Sequence, residues 1–267
     1  MSKRASFTLA GVSVEPGTRK TINIPVSTLS DHTPVTMSAH VIHGRKEGPT
    51  MFISAGVNGD VVIGVEIVRR LLRSQSLKSL RGTLIVSPIV NTFGFLNHSR
   101  YLPDRRDLNR CFPGSAHGSL GSRLAHLFMT EIVARCSLEI DLHSAAINRT
   151  NLPQVRVSAN NRRTLQLAHA FGAPVILKSA LREGSLRQEA KEIGVDVLLY
   201  EAGEGMRFDE MSVRAGVAGI LRVLKTVELL PSAGIAKPKA RSILCKRLEC
   251  ERSPVVGAWY AVSFANS

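Results

Sequence analysis

Four short stretches carry the residue types from which a reactive site could be built. "DLNRCFPG" (107–114) sets Asn109 beside Arg110 in a polar loop. An Arg side chain presents a planar fork that matches a carboxylate at two points, and the neighbouring Asn amide can add a donor to the same anion. "EIDLHSA" (139–145) closes an apolar run on Asp141 and His143. Two residues apart on a strand, they share a face, and the carboxylate can orient the imidazole. "YEAGEG" (200–205) ends another apolar run on Glu201 and Glu204. "ISAGVNGDVVIG" (53–64) places Asn58, Asp60 and Val61 at a Gly-rich corner between a strand-like and a helix-like segment. Plainer uses exist for each. Pairing of Asp104 with Arg106, or of Asp107 with Arg110, would hold the loop. Glu204 would partner Arg207. A lone His near a strand end is ordinarily a hydrogen-bonded structural residue.

The elements that must position these residues alternate. "TINIPVS" and "VTMSAHVIHG" read as strands split by the turn-forming "SDHTP". "TMFISAGV" is then a buried strand, 61–74 an apolar-faced helix, and "GTLIVSPIVN" a second buried strand. A long polar loop spans 92–118. A helix follows over 119–136, with Leu120, Leu124, Leu127, Phe128, Ile132 and Val133 on one stripe. "SLEIDLHSA", "LPQVRVS" and "VDVLLYEAGEG" read as strands and "APVILK" as a short apolar piece. Helices are expected near 161–171, 183–193 and 208–229. Strands alternating with helices predict an α/β fold with a mixed, mostly parallel sheet and helices on both faces. Such sheets bind ligands beyond the carboxyl ends of their strands. The polar residues falling there are Asn58, Gly59 and Asp60, then Asn91, then Asp141, His143 and Ser144, then Glu201 and Glu204, with loop 92–118 on the same rim. Domain organisation follows from composition. Residues 1–230 form the α/β domain, including an N-terminal β segment over 1–48. Residues 231–267 hold a linker, "PSAGIAKPKARS", and a β-rich appendage too short for a core of its own.

Composition narrows the function classes. The chain has 267 residues, 44% of them apolar, and no apolar run long enough to span a bilayer, which needs about 18 residues or more. The N-terminus is not expected to be a signal peptide, because its short apolar patch is broken by Ser, Thr and Gly and ends at Glu15. Four cysteines without a CxxC pair suit a reducing, cytoplasmic compartment. The net charge of +14 is dispersed in short clusters, and aromatics are only 5%. That pattern does not favour a nucleic-acid stacking surface. A solvated basic face, or one that steers a carboxylate substrate, is the expectation.

Taken in order, "GVNGDVVIGVE", "GFLNHSRYLPDRRDLNRCFPG", "EIDLHSA" and "YEAGEGMRFDE" resemble the succinylglutamate desuccinylase/aspartoacylase family of zinc-dependent amidohydrolases, relatives of the zinc carboxypeptidases, over roughly residues 35 to 230. The resemblance implies a zinc-carboxypeptidase-like fold and hydrolysis of the amide bond of an N-acyl amino acid or a related small amide. It also implies a site in which zinc is held by a His and a Glu of a G-x-H-G-D-E corner and by the His of a D-L-H strand end. The corresponding positions here are Asn58, Val61 and His143. By the same resemblance Glu201 is the general base, Asn109 and Arg110 clamp the substrate carboxylate, and Arg100 is a further anion or oxyanion contact. Two of the three metal ligands are therefore replaced. An Asn carbonyl is a weak neutral ligand and Val is none, whereas catalytic zinc takes three protein ligands and an open water position. A rewired one-His, two-Asp site drawing on Asp60 and Asp141 is the alternative; Glu66 lies further along the helix, and Cys111 has no suitably spaced partner. The family continues into a β-rich domain that helps to enclose the active-site mouth, of which "RSPVVGAWYAVSFANS" resembles only the first strands. Two readings follow: a deacylase of impaired activity, or a non-catalytic pseudoenzyme that retains a carboxylate site. The expected partner is a small carboxylate-bearing ligand rather than a membrane or nucleic acid, with self-association into a homo-oligomer left open.

Overall fold

The computed structural model describes residues 4–231, 234–238 and 240–245, and the backbone of 250–252 and 259–261. A small hairpin comes first, β1 (Phe7–Leu9) with β2 (Val12–Val14). The remaining strands through residue 245 build one nine-stranded sheet. They are β3 (Thr18–Thr28), β4 (Pro34–His43), β5 (Thr50–Ala55), β6 (Thr83–Ser87), β7 (Leu138–His143), β8 (Asn151–Val157), β9 (Val175–Lys178), β10 (Asp196–Gly203) and β11 (Ile243–Cys245). Their spatial order is β11-β9-β8-β10-β7-β5-β6-β4-β3. The centre, β10-β7-β5-β6, is parallel, and β8 pairs antiparallel to β10. The β3–β4 pair continues the sheet antiparallel from β6.

Six helices connect and cover the strands: α1 (Val62–Leu72), α2 (Thr92–Leu96), α3 (Leu120–Glu131), α4 (Arg162–Phe171), α5 (Leu186–Glu192) and α6 (Glu210–Thr226). Alternation along the strands divides the core. Met51, Ile53 and Ala55 of β5 face α1, α4 and α6, while Phe52 faces the side holding α3 and α5. Helices therefore lie on both faces, as the alternating pattern predicts. Stripe residues such as Ile63, Ile67 and Leu71 of α1 are fully buried, and burying each contributes roughly 1.5–3 kcal/mol. The N-caps are mostly side chains of the expected kind: Asn91, Ser119, Asn161, Ser185 and Asp209 each accept from a first-turn N–H.

The structure departs from the sequence expectation in three places. The loop 92–118 opens with α2 and contains one 3₁₀ turn at Leu108–Arg110. Helix 119–136 stops at Glu131 and ends in a separate 3₁₀ turn over Val133–Arg135. Ile243–Cys245, which composition places in the appendage, hydrogen-bonds parallel to β9 and forms the sheet edge. Beyond it, Cys250–Arg252 (β12) and Trp259–Ala261 (β13) pair antiparallel. The rest of the expected β-rich remnant lies outside the described residues.

Candidate active site

Three neighbouring strands at the sheet centre, β5, β7 and β10, end on the same rim. The parallel register sets Ala55 beside Leu142 and Glu201 beside His143. After Ala55 the chain turns at Gly56, whose φ of +59° is left-handed, and enters α1 through Asn58-Gly59-Asp60-Val61. Loop 97–110 folds over this corner. A small cavity of about 100 Å³ lies between them, bordered by Asn58, Arg100, Asn109, Arg110, Asp141, His143, Ser144 and Glu201. The structure thus brings together six of the seven sequence-derived site residues. Val61 is the exception. It is 2% exposed and packs in the core on the α1 face.

Several side chains at the cavity have defined partners. Asp107 is the hub of the loop. Its Oδ1 accepts from Asn58 Nδ2 at 2.9 Å and from the Asn109 backbone N–H at 2.9 Å, and its Oδ2 accepts from Arg100 at 2.8 Å. Burial alone would raise this carboxyl, but Arg100 and the donated hydrogen bonds hold it below the usual carboxylate range. The pairing that holds the loop is therefore Arg100–Asp107 rather than Asp107–Arg110. Asp104–Arg106 is a loose contact of 3.7 Å. Asn109 turns its Oδ1 to the Leu186 backbone N–H at 2.9 Å, and Phe112 N–H donates to Gly184 O at 3.1 Å. These two bonds stitch the loop to the segment entering α5.

That segment brings in residues the sequence reading did not single out. Arg182, Ser185 and Arg187 border the cavity, as does Arg156 of β8. Arg156 forms an ion pair with Glu201, which also accepts from Asn151 Nδ2 at 3.1 Å. Arg187 is 8% exposed and is anchored by Ser179 Oγ at 2.8 Å and Ala180 O at 2.6 Å. Burial, together with Arg156 and Arg182 nearby, lowers its pKa to about 10. Arg110, Arg182 and Arg187 have no carboxylate partner among the described residues.

Other rim residues do not join the cavity. Asn91 caps α2, and Glu204 is held by Asn148 N–H and Arg207. Asp60 is buried with Oδ1 unpartnered among the described residues, and burial raises its pKa. Glu66 is engaged by Arg69 and Arg70 on the surface of α1, which lowers it to about 2.

Beneath His143 runs a buried polar chain. His143 Nε2 lies 2.6 Å from Asp141 Oδ2, Asp141 Oδ1 lies 2.9 Å from Ser54 Oγ, and Ser54 Oγ lies 2.7 Å from Glu139 Oε1. One hydroxyl proton cannot serve two carboxylates. Glu139, fully buried, supplies the missing proton, because burial and the charge of Asp141 push its pKa well above the usual range. A carboxyl raised on folding contributes stability that is full below its unfolded value and is lost as pH rises toward its folded one. Glu139→Gln keeps the shape and removes that dependence. As pH rises above the ordinary carboxylate range the variant should gain on the parent, by at most about 1.4 kcal/mol per pH unit in urea unfolding. Parallel pH curves for the two proteins would refute the protonated Glu139.

Comparison with known proteins places this geometry. Residues 47–227 match the succinylglutamate desuccinylase/aspartoacylase catalytic domain. The fold is of the α/β class, and the chain belongs to the succinylglutamate desuccinylase/aspartoacylase family. It is similar to a succinylglutamate desuccinylase/aspartoacylase of Rhodobacter sphaeroides, 28% identical, with a TM-score of 0.76 over 86% of this chain and 72% of that one. The product-bound ectoine utilization protein EutE (DoeB) of Ruegeria pomeroyi shares the fold at 23% identity, with a TM-score of 0.72 over 86% of this chain and 71% of that one. A curated relative, the N-alpha-acetyl-L-2,4-diaminobutyric acid deacetylase of Halomonas elongata, is 29% identical over 159 residues. That match covers 57% of this chain and 46% of the relative, so the chain spans about half the length of the curated protein. Among the described residues, no three His, Cys, Asp or Glu side chains form a group able to hold a metal ion, and no helix is long and apolar enough to cross a membrane.

Proposed function

We propose that this chain binds a small carboxylate-bearing ligand of the kind its family deacylates, and that it has lost the zinc-dependent hydrolytic step. The observation that carries the reading is the donor set at the corner. The Asn58 amide nitrogen donates to Asp107, Val61 lies in the core, and His143 is paired with Asp141. Zinc in a catalytic site takes three protein ligands from imidazole, thiolate or carboxylate, and these residues do not fit it. Glu201, the base implied by family resemblance, is tied to Arg156 in an ion pair.

Carboxylate binding is supported by Arg110, Arg182 and Arg187, which face the same small cavity without an acidic partner among the described residues. The deacetylase named above acts on an N-acetylated amino acid, whose free carboxylate is the group such a cluster would hold. Free Cys111, Cys136 and Cys245 fit a reducing, cytoplasmic setting.

Metal analysis and calorimetry on the purified full chain test the reading together. Zinc well below one per chain is expected, with no metal-dependent hydrolysis of N-acetyl amino acids. The same compounds should raise the Tm by several degrees near 100 times Kd, since that saturation adds about 2.7 kcal/mol. Arg187→Ala should weaken this binding roughly tenfold or more, because charge-assisted hydrogen bonds are worth about 1.5–3 kcal/mol each. Stoichiometric zinc with hydrolysis in the parent would instead establish a working deacylase.

A further inference from the structure

A larger cavity, of about 750 Å³, opens on the opposite rim of the sheet. Its walls are the β4–β5 connection, the segment between α1 and β6, and the start of β3. The side chains of Arg19, Arg45, Lys46, Arg73, Lys78 and Arg81 line it, and no Asp or Glu does. None of these six cations forms an ion pair among the described residues. The acid next in sequence, Glu47, pairs with Arg4 at 3.4 Å, and Arg4 donates to Gly44 O at the edge of the cavity.

Part of this charge has a local explanation. α1 ends here, and its last carbonyls attract cations. Arg19 donates to Leu72 O at 2.8 Å, and Arg73 caps the helix. Lys78 lies in the last turn of the short 3₁₀ helix Gln75–Ser79, whereas Arg45, Lys46 and Arg81 serve no helix end. Arg45 lies across Gly17, where an added Cβ would sit 2.5 Å from its Nε, so this guanidinium is laid along the cavity wall. The floor is apolar, formed by Ile42, Leu72, Leu77 and Leu80.

The geometry points to a second ligand site, for a compact polyphosphate that carries an apolar ring, the chemistry of a nucleoside di- or triphosphate. Four guanidinium forks and two ammonium groups exceed what one carboxylate needs, and Arg and Lys both recognise phosphate. The volume lies within the roughly 300–1,000 Å³ of small-molecule sites, and an apolar floor beneath convergent polar groups is how such sites are built. A concave wall of cations suits a compact ligand better than a duplex, whose phosphates lie on a convex cylinder. The site is independent of the carboxylate cavity, which opens at the carboxyl ends of the strands.

Isothermal titration of the full chain at low salt tests this, with ATP, pyrophosphate, inorganic phosphate and a short DNA duplex as probes. Saturable one-to-one ATP binding is expected, tighter than that of inorganic phosphate. Lys78→Glu with Arg81→Glu should weaken it roughly tenfold or more. Lys46→Glu with Lys78→Glu should do the same. All three side chains are exposed, so circular dichroism and Tm should match the parent. Arg187→Ala, on the other rim, should leave ATP binding unchanged. Absent or non-saturable ATP binding would overturn the inference. So would affinity unaffected by both charge-reversal pairs, affinity equal for ATP and inorganic phosphate, or duplex DNA displacing ATP at lower concentration.

Discussion

Asn58→His combined with Val61→Glu is expected to turn a chain that purifies without stoichiometric zinc into one that binds about one zinc per molecule. The expectation rests on how the corner is now used. Asn58 is 1% exposed and its amide nitrogen donates to Asp107, an acceptor that an imidazole N–H could also satisfy. Val61 is 2% exposed and its side chain packs in the apolar core cluster. Val61→Glu alone therefore buries a carboxylate without a partner. An uncompensated buried charge of that kind costs about 3–5 kcal/mol. For a domain of this size the Tm should fall on the order of 10 °C. In the double variant the same carboxylate has a reason to be there, and added zinc should return most of the lost Tm by binding only the folded state. Neither the parent nor the Asn58→His single variant should respond to zinc in this way. Hydrolysis of an N-acetyl amino acid, measured beside metal content, separates a restored site from one that merely holds metal. A folded double variant whose Tm ignores zinc would show that more than two side chains have changed at the site.

The alternation of strands with helices was legible because period 2 and period 3.6 are local properties, and each run was long enough to show its period. His143 and Asp141 were legible for the same reason: two residues apart on a strand, they had to face one way. Asn109 and Arg110 stood out as a polar pair in a loop run that structure alone does not explain, although Asn109 also ties that loop to Leu186. The remaining arginines were hidden by topology. Arg156 reaches Glu201 because β8 runs antiparallel beside β10. A strand's own pattern does not reveal the direction of its neighbour. Arg187 sits on a short helix where a cation reads as solvated. It becomes buried only when Asn109 and Phe112 pin the preceding segment to the loop, 77 residues away in the case of Asn109 and Leu186. The proton on Glu139 was likewise invisible, since it follows from one Ser hydroxyl lying between two carboxyls that β5 and β7 bring into register. The run "SLEIDLHSA" showed Glu139 only as a charge in a buried strand. That misfit is the signal that could have marked it.

Gly59→Ala should destabilise the chain near the top of the roughly 1–3 kcal/mol range for overpacking, and should abolish ligand binding at the carboxylate cavity. An added Cβ would lie 2.0 Å from Gly94 C, 2.4 Å from Gly94 O and 2.4 Å from Phe95 N. All three are backbone atoms of α2, so no side chain can swing away. α2 is itself fixed, because Asn91 caps it and a Cβ at Gly94 would meet Asn91 Nδ2 at 2.7 Å and Ser99 O at 2.8 Å. The methyl can be accommodated only if corner 58–61 separates from α2. That movement takes Asn58 away from Asp107, and with it the bond between the corner and the loop carrying Asn109 and Arg110. Gly219→Ala is the matched control. Its Cβ would strike the Phe171 ring at 2.2 Å, between α6 and α4 and away from the cavity. It should lower the urea midpoint similarly while leaving the affinity of the folded protein for an N-acetyl amino acid unchanged. If Gly59→Ala unfolds within about 0.5 kcal/mol of the parent, the size of an ordinary surface substitution, the corner does not rest on α2 as described. If it loses stability but binds with parental affinity, the loop holds the ligand without help from Asn58.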